Sequence, residues 1–166
     1  MSNKLHDLVV EAGGEISGKV RFQKIVYLLD QLGFESGFEF EYHHYGPYSA
    51  ELTEAISDEI SFGSIGLQEK RRKSDGVPYI VYKLADHCSG DGGSIRKRNL
   101  SSAVAAMQAT TATVLELAAT AHWLAVYEKK TDWELELRKR KGVKLEGGRD
   151  KQALELLKNL HLSPAI

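Results

Sequence analysis

The chain reads as a mainly α protein with a small β-hairpin: a winged-helix-like N-terminal part followed by a C-terminal helical extension. Three observations predict this. Apolar residues recur at helical spacing in three successive early segments. An Asp-Gly dipeptide then sits between two alternating, strand-like runs. From residue 99 onward only helical patterns follow.

The elements are justified in order. Leu5, Leu8, Val9 and Ala12 repeat as one helix face, and Gly13-Gly14 stops them. Ser17 is placed to cap a second helix, whose buried stripe is Phe22, Ile25, Val26 and Leu29, and Gly33 ends it. Phe38, Phe40 and Tyr42 alternate with Glu39 and Glu41, which predicts a short extended arm. Gly46-Pro47 predicts a turn, with Pro47 opening a third helix near Tyr48. Leu52, Ala55, Ile56 and Ile60 line that helix, and Gly63 closes it. Residues 65–73 and 77–84 flank Ser74-Asp75-Gly76 as a hairpin. Ser89-Gly90-Asp91-Gly92-Gly93-Ser94 predicts a flexible linker over 87–98. It divides a front part, 1–86, from a helical part, 99–166, packed on it in one domain.

In the rear, Asn99 or Ser101 caps a helix reaching Ala109, and Val114, Leu117, Ala118, Ala121 and Leu124 make the strongest apolar stripe. Thr131-Asp132-Trp133-Glu134 predicts a capping box. A last helix spans 150–162.

At 166 residues, 42% apolar and 27% charged, the chain can bury a core without disulfides or metal. Cys88 is the sole cysteine, which excludes an internal disulfide and suits a reducing cytosol. Residues 1–11 lack a signal-peptide pattern, and no apolar run approaches the roughly 18 residues of a membrane span. A cytoplasmic protein is expected.

Charge is uneven. Residues 1–63 carry 4 basic and 11 acidic groups, whereas 64–98 carry 8 and 4. No Lys or Arg lies between Ile25 and Glu69. The third helix occupies the position of a DNA-reading helix, yet it carries Glu51, Glu54, Asp58 and Glu59, which phosphates would repel.

The run Gln23-Lys24-Ile25-Val26-Tyr27-Leu28 is similar to the "LQKLVYL" helix of the Panacea domain, and Tyr45-Gly46-Pro47-Tyr48 resembles that family's YGP turn. The layout is similar to the YwgA-type branch, with Leu115-Glu116-Leu117-Ala118 after the hairpin. The resemblance implies a helical domain with a small β element. It implies toxin neutralisation by direct contact, or SocA-like delivery of a toxin to a protease. No catalytic residue comes with it.

Other features remain open at this level. Tyr45-Gly46-Pro47 is a structural corner or a binding loop. Gln23 and Lys24 form a solvated face, or Gln23 and Tyr27 hydrogen-bond the arm at 40–48. His43 and His44 are adjacent on an extended arm and so point apart, which disfavours chelation. No Walker loop, HExxH or GxSxG occurs, so no enzymatic role, cofactor or metal is expected.

The expected function is a non-enzymatic protein-binding factor, antitoxin- or adaptor-like, of a toxin–antitoxin, phage or defence system. Its contact surface is Tyr42, His44, Tyr48, Glu51, Glu54 and Asp58, and its partner is a toxin or protease component. The alternative is a winged-helix module whose Lys70, Arg71, Arg72 and Lys73 contact nucleic-acid phosphates. The alanine-rich stretch 101–126 also suits close helix packing, within the chain or across a homodimer.

Overall fold

The computed structural model describes residues 3–164. They form a mostly helical protein with small antiparallel sheets. Helix α1 (Lys4–Glu11) starts at Asn3, whose side chain accepts the N–H groups of Leu5 and His6. It ends before the two glycines, and β1 (Glu15–Ser17) follows. Ser17 is therefore the end of a strand and not a cap. Helix α2 (Lys19–Gln31) starts at Gly18, which makes no side-chain cap bond.

Two strands come next, β2 (Glu41–His43) and β3 (Gly46–Tyr48), in register Glu41 to Tyr48 and His43 to Gly46. The chain thus reverses at His44-Tyr45, and Gly46-Pro47 lies on the return strand instead of forming the turn. Helix α3 (Ala50–Phe62) starts at Ser49, whose hydroxyl accepts the Leu52 N–H, so Pro47 lies outside the helix. Gly63 stops α3 at φ +81°.

The Asp-Gly hairpin forms as β4 (Ile65–Arg71) and β5 (Pro78–Leu84). The strand β1 joins the free edge of β5, giving the order β1-β5-β4. Three residues suffice because the flanking groups extend the pairing: Gly18 N–H donates to Ile80, and Leu84 N–H to Gly14.

Segment 87–98 is not an open linker. It contains α4 (Gly93–Lys97), with Ile95 fully buried, and Asp7 of α1 accepts the Ser94 N–H. Arg96 pairs with Glu11 at 3.0 Å. The rear comprises α5 (Ser101–Gln108), α6 (Ala112–Val126), α7 (Trp133–Lys141), a 3-10 turn (Gly142–Leu145) and α8 (Arg149–Asn159). Neither Asn99 nor Ser101 caps α5, which starts at Leu100, and Asp132 makes no side-chain cap bond to α7.

Helix α6 is the centre of the molecule. It packs on α2, α7, α8 and β3, and its residues 114–122 are all buried. One core cluster runs from Leu5 through Phe22, Tyr27 and Leu52 to Leu117 and Leu157, joining front and rear. Each such buried side chain contributes about 1.5–3 kcal/mol. Among the described residues, no helix is long and apolar enough to cross a membrane.

Candidate functional site

A helix that is apolar all round would bury nothing polar, yet α2 and α6 bury Gln23, Lys24, Glu116, Thr120 and His122. Such groups must be partnered. Their partners define the corner at residues 44–49. Gln23 donates from Nε2 to the Ser49 carbonyl (2.8 Å) and accepts the Ser49 N–H at Oε1 (2.9 Å). Lys24 Nζ donates to the Pro47 carbonyl at 2.5 Å. Lys141 Nζ donates to the His44 carbonyl (3.0 Å) and to Glu116 Oε1 (2.7 Å). Lys144 reaches both Glu116 oxygens at 2.8 and 3.0 Å and lies 4.9 Å from the Tyr45 ring centre.

Gly46 is required at the point of closest approach. Its φ is +85°, and a Cβ there would lie 2.5 Å from Thr120 Oγ1. Thr120 cannot turn aside freely, because that hydroxyl donates to the Glu116 carbonyl at 2.7 Å.

One buried carboxylate, Glu116, therefore pairs with the buried ammonium of Lys141 and with that of Lys144 nearer the surface. Burial pushes Lys24 down to about 8, with Glu116 opposing and Lys141 and Lys144 reinforcing the shift. Burial likewise lowers Lys141. Tyr27 does not bond the arm. Its hydroxyl lies 2.8 Å from His122 Nδ1, and its ring packs edge-on against Phe40 at 5.4 Å. Burial pushes His122 down to about 4, so the imidazole is neutral at pH 7, and pushes the Tyr27 phenol far up.

The sequence-derived contact residues fall into two groups. Glu51, Glu54 and Asp58 are exposed, and their spacing of three and four residues sets them on one stripe of α3. None of the three makes an ion pair among the described residues within 4.0 Å. The stripe continues to Phe62, which is 82% exposed. Tyr48 stands at the start of this helix, its hydroxyl 3.0 Å from Thr53 Oγ1 and its ring 4.7 Å from His43. His44 is exposed at the hairpin tip. Tyr42 belongs elsewhere: it is half-buried under the Arg140 guanidinium at 4.6 Å, beside Trp123. Glu128 chelates Arg140 at 2.8 and 2.9 Å, and Glu136 adds a third bond.

The basic run lies at the β4–β5 tip, where residues 71–78 are all exposed. Asp75 holds Arg72 at 2.8 and 3.1 Å, Arg71 donates to the Gly76 carbonyl, and Lys70 lies 3.9 Å from Glu15. Lys73 makes no such bond among the described residues.

Sequence reading missed Glu116, Thr120, Lys141, Lys144 and Arg140. Glu116 did carry a signal, a lone charge inside the apolar run Val114 to Ala119. Lys141 and Lys144 show none, because they reach Glu116 from 25 and 28 residues away, and nothing local marks Thr120 as the residue that meets Gly46 or Arg140 as the one that covers Tyr42.

No family model matches the chain. Over 78 residues it is 33% identical to the uncharacterized protein YwgA of Bacillus subtilis, covering 47% of this chain and 46% of that protein. It is also 29% identical over 126 residues to a DNA ADP-ribosyl glycohydrolase of Thermus aquaticus, covering 72% of this chain and 34% of that protein. The chain thus spans about half the length of the first relative and a third of the second.

The YwgA likeness agrees with the layout read from the motifs. The second match corrects the expectation of no enzymatic role, since the protein it aligns with is an enzyme. That expectation rested on the lack of contiguous catalytic motifs, and such motifs do not capture side chains assembled from distant segments.

Proposed function

We propose that this chain is a protein-capturing module of the antitoxin or adaptor kind, acting in a system that handles ADP-ribosylated DNA. The supporting observation is the exposed row Glu51, Glu54 and Asp58, unpaired among the described residues and ending in the exposed ring of Phe62. Free carboxylates around an apolar anchor suit a cationic protein surface, since opposite charge speeds encounter and an aromatic ring holds the complex. The corner beneath is stiff: Gln23, Lys24, Lys141 and Glu116 fix it, so Tyr48 and the first turn of α3 are presented without reorganisation. In this reading the front is a winged-helix-like Panacea domain whose would-be recognition helix has become an acidic protein-binding face. The test is the double charge reversal Glu51→Lys/Glu54→Lys. Capture of partner from a native-host lysate falls at least tenfold while the thermal midpoint moves by less than about 2 °C. Undiminished capture refutes the placement.

A second reading is favoured by the DNA-directed relative together with the basic β4–β5 tip: the chain contacts nucleic acid and contributes to hydrolysis of ADP-ribosyl groups on it. Incubation with an ADP-ribosylated oligonucleotide tests the hydrolytic part. Phosphate contact predicts an affinity that falls steeply with salt.

A further inference from the structure

We infer that the β4–β5 tip is a contact site for single-stranded nucleic acid, with Tyr79 as a base-stacking platform. This rests on the second reading above and narrows it. Tyr79 is the cross-strand partner of Lys70, so the two side chains stand on the same face of the hairpin. Lys70, Arg71, Arg72, Lys73, Ser74 and Tyr79 line one open surface hollow. Its cations are unequally occupied. Asp75 neutralises Arg72 with two hydrogen bonds, whereas Arg71 and Lys70 reach carboxylates only at 4.0 and 3.9 Å and Lys73 is unpaired among the described residues. Three cations are thus available to phosphates around one half-exposed aromatic ring.

That combination suits a single strand better than a duplex. A duplex hides the faces of its bases, so Tyr79 would gain nothing from it, whereas an unpaired base can lie flat on the phenol. The hollow is short, and the carboxylates of α3, which packs on β4, repel a backbone that strays from the tip. The footprint is therefore a few nucleotides.

The test is fluorescence anisotropy of the full chain with a labelled oligo(dT) 12-mer and with a labelled 12-base-pair duplex. With three phosphate contacts and a single-strand slope of about −0.7 per contact, raising salt from 50 to 200 mM weakens oligo(dT) binding about 20-fold. The duplex binds at least fivefold more weakly at the lower salt. Tyr79→Ala costs about tenfold on oligo(dT), Tyr79→Trp restores it, and Lys73→Glu at the fully exposed tip costs affinity without touching the fold. Equal binding of the duplex, or an oligo(dT) affinity indifferent to Tyr79→Ala, overturns the single-strand inference and leaves the broader nucleic-acid reading standing. Failure of both probes to bind at 20 mM salt overturns both.

Discussion

Replacing Gly46 by Ala isolates what holds the corner to α6. Two independent costs are expected. The backbone at φ +85° is one that a Cβ disfavours by about 1–2 kcal/mol. The new methyl also meets Thr120 Oγ1 at 2.5 Å, nearly 1 Å inside ordinary contact, and overpacking of this kind costs about 1–3 kcal/mol. Gly46→Ala should therefore lose about 3 kcal/mol in total. Thr120→Ala alone gives up the hydroxyl bond to Glu116, about 1 kcal/mol. In the double variant the methyl faces only a Cβ at 3.6 Å, so the collision vanishes while the backbone cost remains. The cycle should show a favourable coupling of about 1–3 kcal/mol. Urea unfolding followed by tryptophan fluorescence measures all four corners of the cycle. Additive losses within 0.5 kcal/mol would refute the close approach, and a loss below 1 kcal/mol for Gly46→Ala would refute the backbone argument as well.

Other outcomes follow from the buried groups. His122 is held neutral by burial with its folded value at about 4, below the ordinary 6.5. The unfolded chain takes up this proton first on acidification. The stability it confers is complete above pH 6.5 and shrinks as pH falls towards 4, by up to roughly 3 kcal/mol. His122→Gln should flatten that part of a stability–pH profile measured by urea titration, and an unchanged slope would show the imidazole to be solvated. Glu116→Gln leaves Lys141 and Lys144 without their carboxylate and should cost about 3–5 kcal/mol. Glu116→Leu combined with Lys141→Met should recover much of it, because both charges leave together.

How much of this was legible depended on where each partner lies. Helices α1, α2, α3 and α6 follow from apolar spacing, since Leu52 and Ile56, or Val114, Leu117 and Ala121, mark one face by sequence alone. The Asp-Gly hairpin is equally local, for Asp75 binds its own Arg72 and Val77. Strand β1 was not legible: three residues carry no period, and Ser17 looks like a cap until the edge of β5 is known. Segment 87–98 looked open because its glycines suit a linker, but Ile95 and Ser94 find α1 some ninety residues back. The motif residues Gln23, Lys24, Gly46 and Pro47 could be grouped from sequence. A hydrogen bond from Gln23 towards the arm was one of two readings, and the bonds run from Gln23 to Ser49 and from Lys24 to Pro47; the seat of Gly46 on α6 was not legible, because it rests on Thr120.

Helix α6 supplies the seats for both halves of the chain, and this has a consequence for dissection experiments. A cut among the glycines near residue 90 would not release two self-sufficient units. The front fragment would carry an uncovered Tyr27 without its His122 partner, and the rear fragment a Glu116–Lys141 pair stripped of the His44 carbonyl that Lys141 also bonds. The fragments should stay unstructured apart and regain their fold only on mixing, as complementing pieces of one folding unit.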